Sequence, residues 1–152
     1  EGIDFAIFLN YYEKEVVNYY SKIIEKNFVI IDIGSNIGFH SLNFAKLCPQ
    51  GRVYSVEPTD FAYKKLKINT QLNVNLNKLI TKDQIFLSEL KSKKKKFAYA
   101  SWPLVKNKKD IHPSLMAEKK DINKAKFLSL DKYIKERKIT KLNITSNNVK
   151  SK

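Results

Sequence analysis

Hydrophobic positions along the first third of the chain change period, and the change marks out its elements. From Asn10 to Lys26 the apolar and aromatic residues Tyr12, Val16, Tyr19, Tyr20, Ile23 and Ile24 recur at three-, four- and seven-residue intervals, the spacing of an amphipathic helix. From Phe28 to Ile33 the periodicity disappears. This short β-branched run is too brief for a helix and has the pattern of a parallel strand covered on both faces. Phe39 to Leu47 returns to helical spacing through Phe39, Leu42, Phe44, Ala45 and Leu47, and Pro49 and Gly51 end it. Arg52 to Val56 reads as a second strand. Thr59-Asp60 offers a helix N-cap before Phe61, Leu66, Ile68 and Leu72.

Beyond Leu72 the pattern loosens. Asn73 to Lys78 is turn-like, and Gln84 to Leu87 is the expected third strand. A basic turn follows at Lys91 to Lys96, then a short strand at Phe97 to Ala100 and a long irregular loop from Trp102 to Pro113. Phe127 to Leu130 leads to Asp131, an expected N-cap for a short helix over Lys132 to Lys138. Strand, helix, strand, helix, strand in this order predicts an α/β fold with a doubly wound, mainly parallel sheet. After Ile139 only Leu142 to Thr145 has the character of a strand, so the sheet is expected to be C-terminally incomplete. The implied organisation is a lead-in helix over 1–27, a partial nucleotide-binding domain over 28–145, and an unpatterned tail over 146–152.

Composition narrows the classes. The chain has 152 residues, 43% of them hydrophobic, enough for one domain with a core. No apolar run approaches the roughly 20 residues of a membrane-spanning helix, and no secretory signal pattern opens the sequence. A cytoplasmic location is the expectation. The single Cys48 reads as a small core residue, and with only His40 and His112 no metal cluster is expected. The net charge of +14 invites polyanions. Arginine, whose planar fork suits phosphates and bases, occurs only at Arg52 and Arg137. Specific nucleic-acid binding is therefore not the reading favoured, and Lys93 to Lys96 fits a solvated turn.

Chemistry concentrates where the first strand ends. The dinucleotide fingerprint needs glycine at positions 34, 36 and 39, whereas this chain has Gly34, Asn36 and Phe39. What it has is Asp32-x-Gly34-x-Asn36-x-Gly38. Gly34 and Gly38 allow left-handed backbone and close approach, and Asn36 tolerates the same conformation. Asp32 suits an ammonium group. Glu57 closes the second strand 23 residues after Gly34, the place from which a carboxylate accepts hydrogen bonds from ribose hydroxyls. Pro58 then ends the strand. An acid for an ammonium and another for a ribose, with no pyrophosphate cradle, suit S-adenosylmethionine.

The segments Val29 to Ser41 (VIIDIGSNIGFHS), Val53 to Pro58 (VYSVEP) and Leu66 to Asn73 (LKINTQLN) resemble the FkbM family of class I methyltransferases. Leu130-Asp131-Lys132-Tyr133-Ile134 resembles the family segment that precedes the fourth strand. The resemblance spans about Tyr12 to Asn143 and is sharpest from Val29 to Pro58. It implies a Rossmann-like fold and S-adenosylmethionine as cofactor. It also implies methyl transfer to a hydroxyl of a sugar or natural product, with the cofactor held by Asp32, Gly34, Asn36, Gly38, Phe39, Glu57 and Pro58. The family's acidic, glycine-containing turn is absent from Ile144 to Lys150, which points to a truncated copy. No catalytic base stands out: His40 lies at the loop-helix junction, while His112, Asp110 and Trp102 fall in the long loop. The alternatives are a dinucleotide-dependent oxidoreductase and a non-enzymatic module that binds polyanions.

Overall fold

The computed structural model describes residues 7, 12–88, 97–99, 119–122 and 124–145. Helix α1 (Lys14–Ser21) leads to β1 (Val29–Ile33), followed by α2 (Phe39–Leu47), β2 (Arg52–Val56) and α3 (Asp60–Leu72). A four-residue helix α4 (Val74–Asn77) precedes β3 (Ile80–Asp83) and β4 (Ile85–Leu87). The remainder comprises β5 (Phe97–Tyr99), β6 (Lys119–Asp121), β7 (Lys126–Leu128), α5 (Leu130–Glu136) and β8 (Ile144–Thr145).

Four strands form one parallel sheet in the order β3-β2-β1-β8. Ile30 pairs with Val53 on one side and with Ile144 on the other. The chain thus runs outward from β1 through β2 to β3, then returns to the opposite flank of β1. That reversal makes the carboxyl end of β1 a topological switch point, where open α/β sheets leave a crevice for ligands. The fold is the α/β, Rossmann-like arrangement expected from the sequence.

Successive residues of a strand point to opposite faces, so β1 feeds two cores. Ile30 joins Tyr20, Phe44, Ala45, Cys48, Val53 and Ile80 beneath α1 and α2. Ile31 joins Val56, Ile85, Leu128 and Tyr133 beneath α5. An unalternating apolar strand is what this two-sided burial requires. The thiol of Cys48 donates to the carbonyl of Phe44 at 3.0 Å, and burial raises its pKa from an ordinary 9.0 to about 11. It is the buried core residue that the sequence suggested.

Several elements differ from expectation. The lead-in helix is shorter, because Glu13 at its start is left-handed (φ 44°) and the turn closes at Lys22. Asn73 to Lys78 includes the helical turn α4. The third strand of the main sheet is β3, while Ile85–Leu87 pairs with β7 in a separate two-stranded parallel ladder. The segment Ile80-Thr81-Lys82-Asp83 carries little apolar signal, and only its two ends are buried. Asp83 is accepted there because Tyr133 donates its hydroxyl at 2.8 Å and Arg137 pairs with its other oxygen. Burial, reinforced by the Asp83 charge, holds the Tyr133 hydroxyl in its protonated form. Helix α5 starts at Leu130 and is capped by Ser129, whose Oγ accepts from the amide of Lys132; Asp131 lies inside its first turn rather than at the cap. Trp102, Asp110, His112, the lysine run 91–96 and the tail 146–152 lie outside the described residues.

Candidate cofactor site at the carboxyl ends of β1 and β2

Three left-handed residues alternate through the turn that joins β1 to α2: Gly34 (φ 73°), Asn36 (φ 49°) and Gly38 (φ 92°). The sequence placed glycine or asparagine at each, the residues that enter this region at least cost. The turn is tied to the neighbouring strand, since the amides of Gly34 and Ser35 both donate to the carbonyl of Val56, at 2.9 and 3.1 Å. It is closed on itself by the Gly38 amide on the Ser35 carbonyl at 2.8 Å. From the other side, Asn69 of α3 donates its Nδ2 to the carbonyl of Ile37 at 2.8 Å.

The two glycines have separate tasks. A Cβ on Gly38 stands 2.6 Å from Leu66 Cδ1, so this glycine admits α3 against the loop. Among the described residues a Cβ on Gly34 meets nothing within 4 Å. The sequence assigns both positions close approach and a turn; both take positive φ, and the space beside Gly38 is filled by Leu66.

Glu57 joins the two strand ends. It is 5% exposed, and its Oε2 accepts from the amide of Asn36 at 2.9 Å. Its Oε1 accepts from the amide of Thr59 at 2.9 Å and from the Thr59 hydroxyl at 2.6 Å. Pro58, half-buried, sits within this two-residue clasp. The structure therefore brings together Gly34, Asn36, Glu57 and Pro58, which the sequence selected from two segments.

Asp32 is deeper than a ligand-facing acid needs to be. It is 3% exposed, and Oδ2 accepts from Ser41 Oγ at 2.6 Å. Ser55 in turn donates to Ser41 Oγ at 2.7 Å. This buried chain ties β2, α2 and β1 together below the loop. Phe39 faces the entry segment instead, with its ring edge-on to Tyr12 at 5.1 Å between centroids.

His40 projects the same way. Its Nε2 lies 2.8 Å from Glu13 Oε2, and its Nδ1 lies 3.3 Å from the Tyr20 hydroxyl. Both ring nitrogens are engaged in docking α1 onto α2. Burial, with the nearby charges of Asp32 and Glu13, holds the Tyr20 hydroxyl in its protonated form.

Two residues of the site were missed from the sequence. Ser35, 6% exposed, keeps its Oγ buried without a hydrogen-bond partner among the described residues. A buried hydroxyl without a partner costs about 1–3 kcal/mol, so such an atom calls for an explanation. It lies in the turn that opens the nine-residue helix α2, whose first turn holds no acidic residue and no side-chain cap. Thr59 is the other. A small polar residue between special-φ neighbours was a sequence signal for Ser35, whereas nothing local marked Thr59 beyond its place near a helix start.

Among the described residues no group of His, Cys, Asp and Glu has the makings of a metal site, and no helix is long and apolar enough to cross a membrane. No family model matches the chain, and no curated protein matches it. Solved structures do. A protein described as an rRNA-methylase from Clostridium thermocellum aligns at 18% identity and a TM-score of 0.44 over 47% of this chain and 38% of its own. A precorrin-6y C5,15-methyltransferase from Geobacter metallireducens GS-15 aligns at 21% identity and a TM-score of 0.44 over 49% of this chain and 39% of its own. This chain thus matches about two fifths of the length of either protein.

Proposed function

We propose that the chain binds S-adenosylmethionine at the carboxyl ends of β1 and β2 and serves methyl transfer to a hydroxyl, as its resemblance to the FkbM family implies. The observation that carries the reading is the Glu57 carboxylate bridging to the amide of Asn36 at the switch point, beside the Ser35 hydroxyl, which has no partner among the described residues. Those groups match the chemistry of the cofactor. Glu57 is an acceptor for ribose. The Ser35 hydroxyl and the opening of α2 are donors for a carboxylate, next to the space at Gly34. Asp32 keeps a carboxylate beneath the loop, where it favours a cationic ammonium through space while Ser41 holds it.

When bound, S-adenosylmethionine supplies a methyl group activated by its sulfonium. The residues of this chain hold and orient it, and alignment of acceptor and donor accounts for most of what such a transfer demands. A sugar or other small molecule bearing a hydroxyl is the acceptor class that the resemblance implies. We assign no base, since both nitrogens of His40 are engaged with Glu13 and Tyr20. Asn36 and Phe39 in place of fingerprint glycines weigh against a dinucleotide.

Isothermal titration with S-adenosylhomocysteine tests the reading. Micromolar binding is expected, weakened at least tenfold in Glu57→Ala and in Ser35→Ala, with NADH failing to compete. A folded chain that ignores S-adenosylhomocysteine, or prefers NADH, overturns it.

A further inference from the structure

Thr59 occupies the N-cap of α3 with the extended backbone of a capping residue (φ −80°, ψ 136°), yet its side chain makes no capping hydrogen bond. The hydroxyl is turned away from the helix and donates to Glu57 Oε1 at 2.6 Å, while the backbone amide of Thr59 donates to the same oxygen. Forgoing a cap leaves the helix start less stable. A local rule broken in favour of one buried carboxylate marks a site where that carboxylate's geometry matters.

An ionised carboxylate offers about four acceptor positions. Thr59 fills both on Oε1, and the amide of Asn36 fills one on Oε2. Among the described residues one position is left, and it is on Oε2. A carboxylate accepting evenly from both hydroxyls of a ribose would need a position on each oxygen.

We propose that Thr59 is a positioning residue that saturates Oε1 of Glu57, so that Glu57 takes only one of the two ribose hydroxyls of a bound nucleoside. The inference rests on the cofactor reading above and goes beyond it, since that reading holds equally for a carboxylate that grips both hydroxyls. The selectivity arises from the neighbour and not from the acid itself.

The experiment titrates the chain with S-adenosylhomocysteine and with its 2′-deoxy and 3′-deoxy counterparts, for the wild type, Thr59→Val and Thr59→Ser. A hydrogen bond to a charged group contributes about 1.5–3 kcal/mol, equivalent to a loss of about tenfold to a hundredfold. The wild type is expected to lose that much for one deoxy analogue and less than threefold for the other. Thr59→Val, which frees a position on Oε1, brings the two losses within threefold of each other, and Thr59→Ser restores the asymmetry. Equal losses in the wild type overturn the assignment while leaving the cofactor reading intact, and this comparison decides even if Thr59→Val fails to fold. An asymmetry that persists in a folded Thr59→Val also overturns it. A wild-type chain that is folded by circular dichroism and binds no S-adenosylhomocysteine overturns both readings.

Discussion

Helices α3 and α5 begin with the same device and use it in opposite ways. Ser129 opens α5 with φ −75° and ψ 158°, and its hydroxyl accepts from the amide of Lys132. Thr59 opens α3 with nearly the same backbone, and its hydroxyl is donated to Glu57 instead. The difference is the neighbour. A buried carboxylate two residues earlier in the chain fixes the hydroxyl through a charge-assisted bond, about twice as strong as a neutral one, and no capping bond forms. The regions around the two caps follow suit. Near α5 the buried Asp83 is satisfied by Tyr133 and Arg137 and closes the core. Near α3 the loop keeps three left-handed residues and, among the described residues, one buried hydroxyl without a partner. The polar groups near α5 are paired within the protein, whereas those near α3 keep the spare capacity that the proposed cofactor site requires.

The sharpest way to break this contrast is to remove the acid from the closed region. Asp83→Ala leaves the buried Tyr133 hydroxyl without its acceptor, and a loss of about 3 kcal/mol is expected by urea unfolding. Adding Tyr133→Phe is expected to recover part of that loss, since removing both partners strands neither. Because the variant keeps the backbone carbonyl of residue 83, which accepts from the Glu57 amide at 3.1 Å, affinity for S-adenosylhomocysteine is expected to change less than threefold once the protein is folded.

A pH titration probes the core beneath α1 and α2. The Cys48 thiol, raised to about 11 by burial, stays protonated in the folded chain where the unfolded chain ionises. Its contribution is fully present below the unfolded pKa of 9.0 and is lost as pH rises toward about 11. A difference of two pKa units is worth about 3 kcal/mol, so unfolding free energy falls by about that much across this window. The check is a shallower decline in Cys48→Ala than in the wild type.

The glycines sharpen the comparison at smaller scale. Gly38→Ala drives a Cβ against Leu66 from a backbone with positive φ and is expected to cost about 2 kcal/mol. Gly34→Ala meets open space, so only the backbone strain of about 1 kcal/mol remains, and binding suffers instead. Thermal unfolding and titration with S-adenosylhomocysteine, read on both variants, are expected to rank them in opposite orders. Smallest of all is the cap itself. Ser129→Ala is expected to cost about 1 kcal/mol and to leave binding unchanged. A comparable loss of binding would mean that the cap of α5 and the loop after β1 are coupled.

Much of the site was legible from the chain alone. The β-branched run before Gly34 specified a strand covered on both faces, and the unusual spacing of Gly34, Asn36 and Gly38 specified a turn with positive φ. The distance to Glu57 fitted one crossover helix and a second strand. These properties are local: period, steric permission and the reach of one helical crossover follow from the order of the residues.

Tertiary structure decided what polar atoms meet, and with it the division of labour. Strand β3 carried too little apolar pattern to be recognised, because its buried acid is satisfied by Tyr133, 50 residues later. The amide of Val29 at the start of β1 is met by Asn143 Oδ1 at 2.9 Å, across 114 residues of sequence. Gly38 proved to be a packing glycine once Leu66 was seen beside it, and Asp32 proved to be held by Ser41. Ser35 and Thr59 entered the site through a missing partner and a diverted one. A hydrogen bond acts over about 3 Å and depends on direction, so its partners are fixed by convergence in space, while the periodicities that shape strands and helices are already present in the unfolded chain.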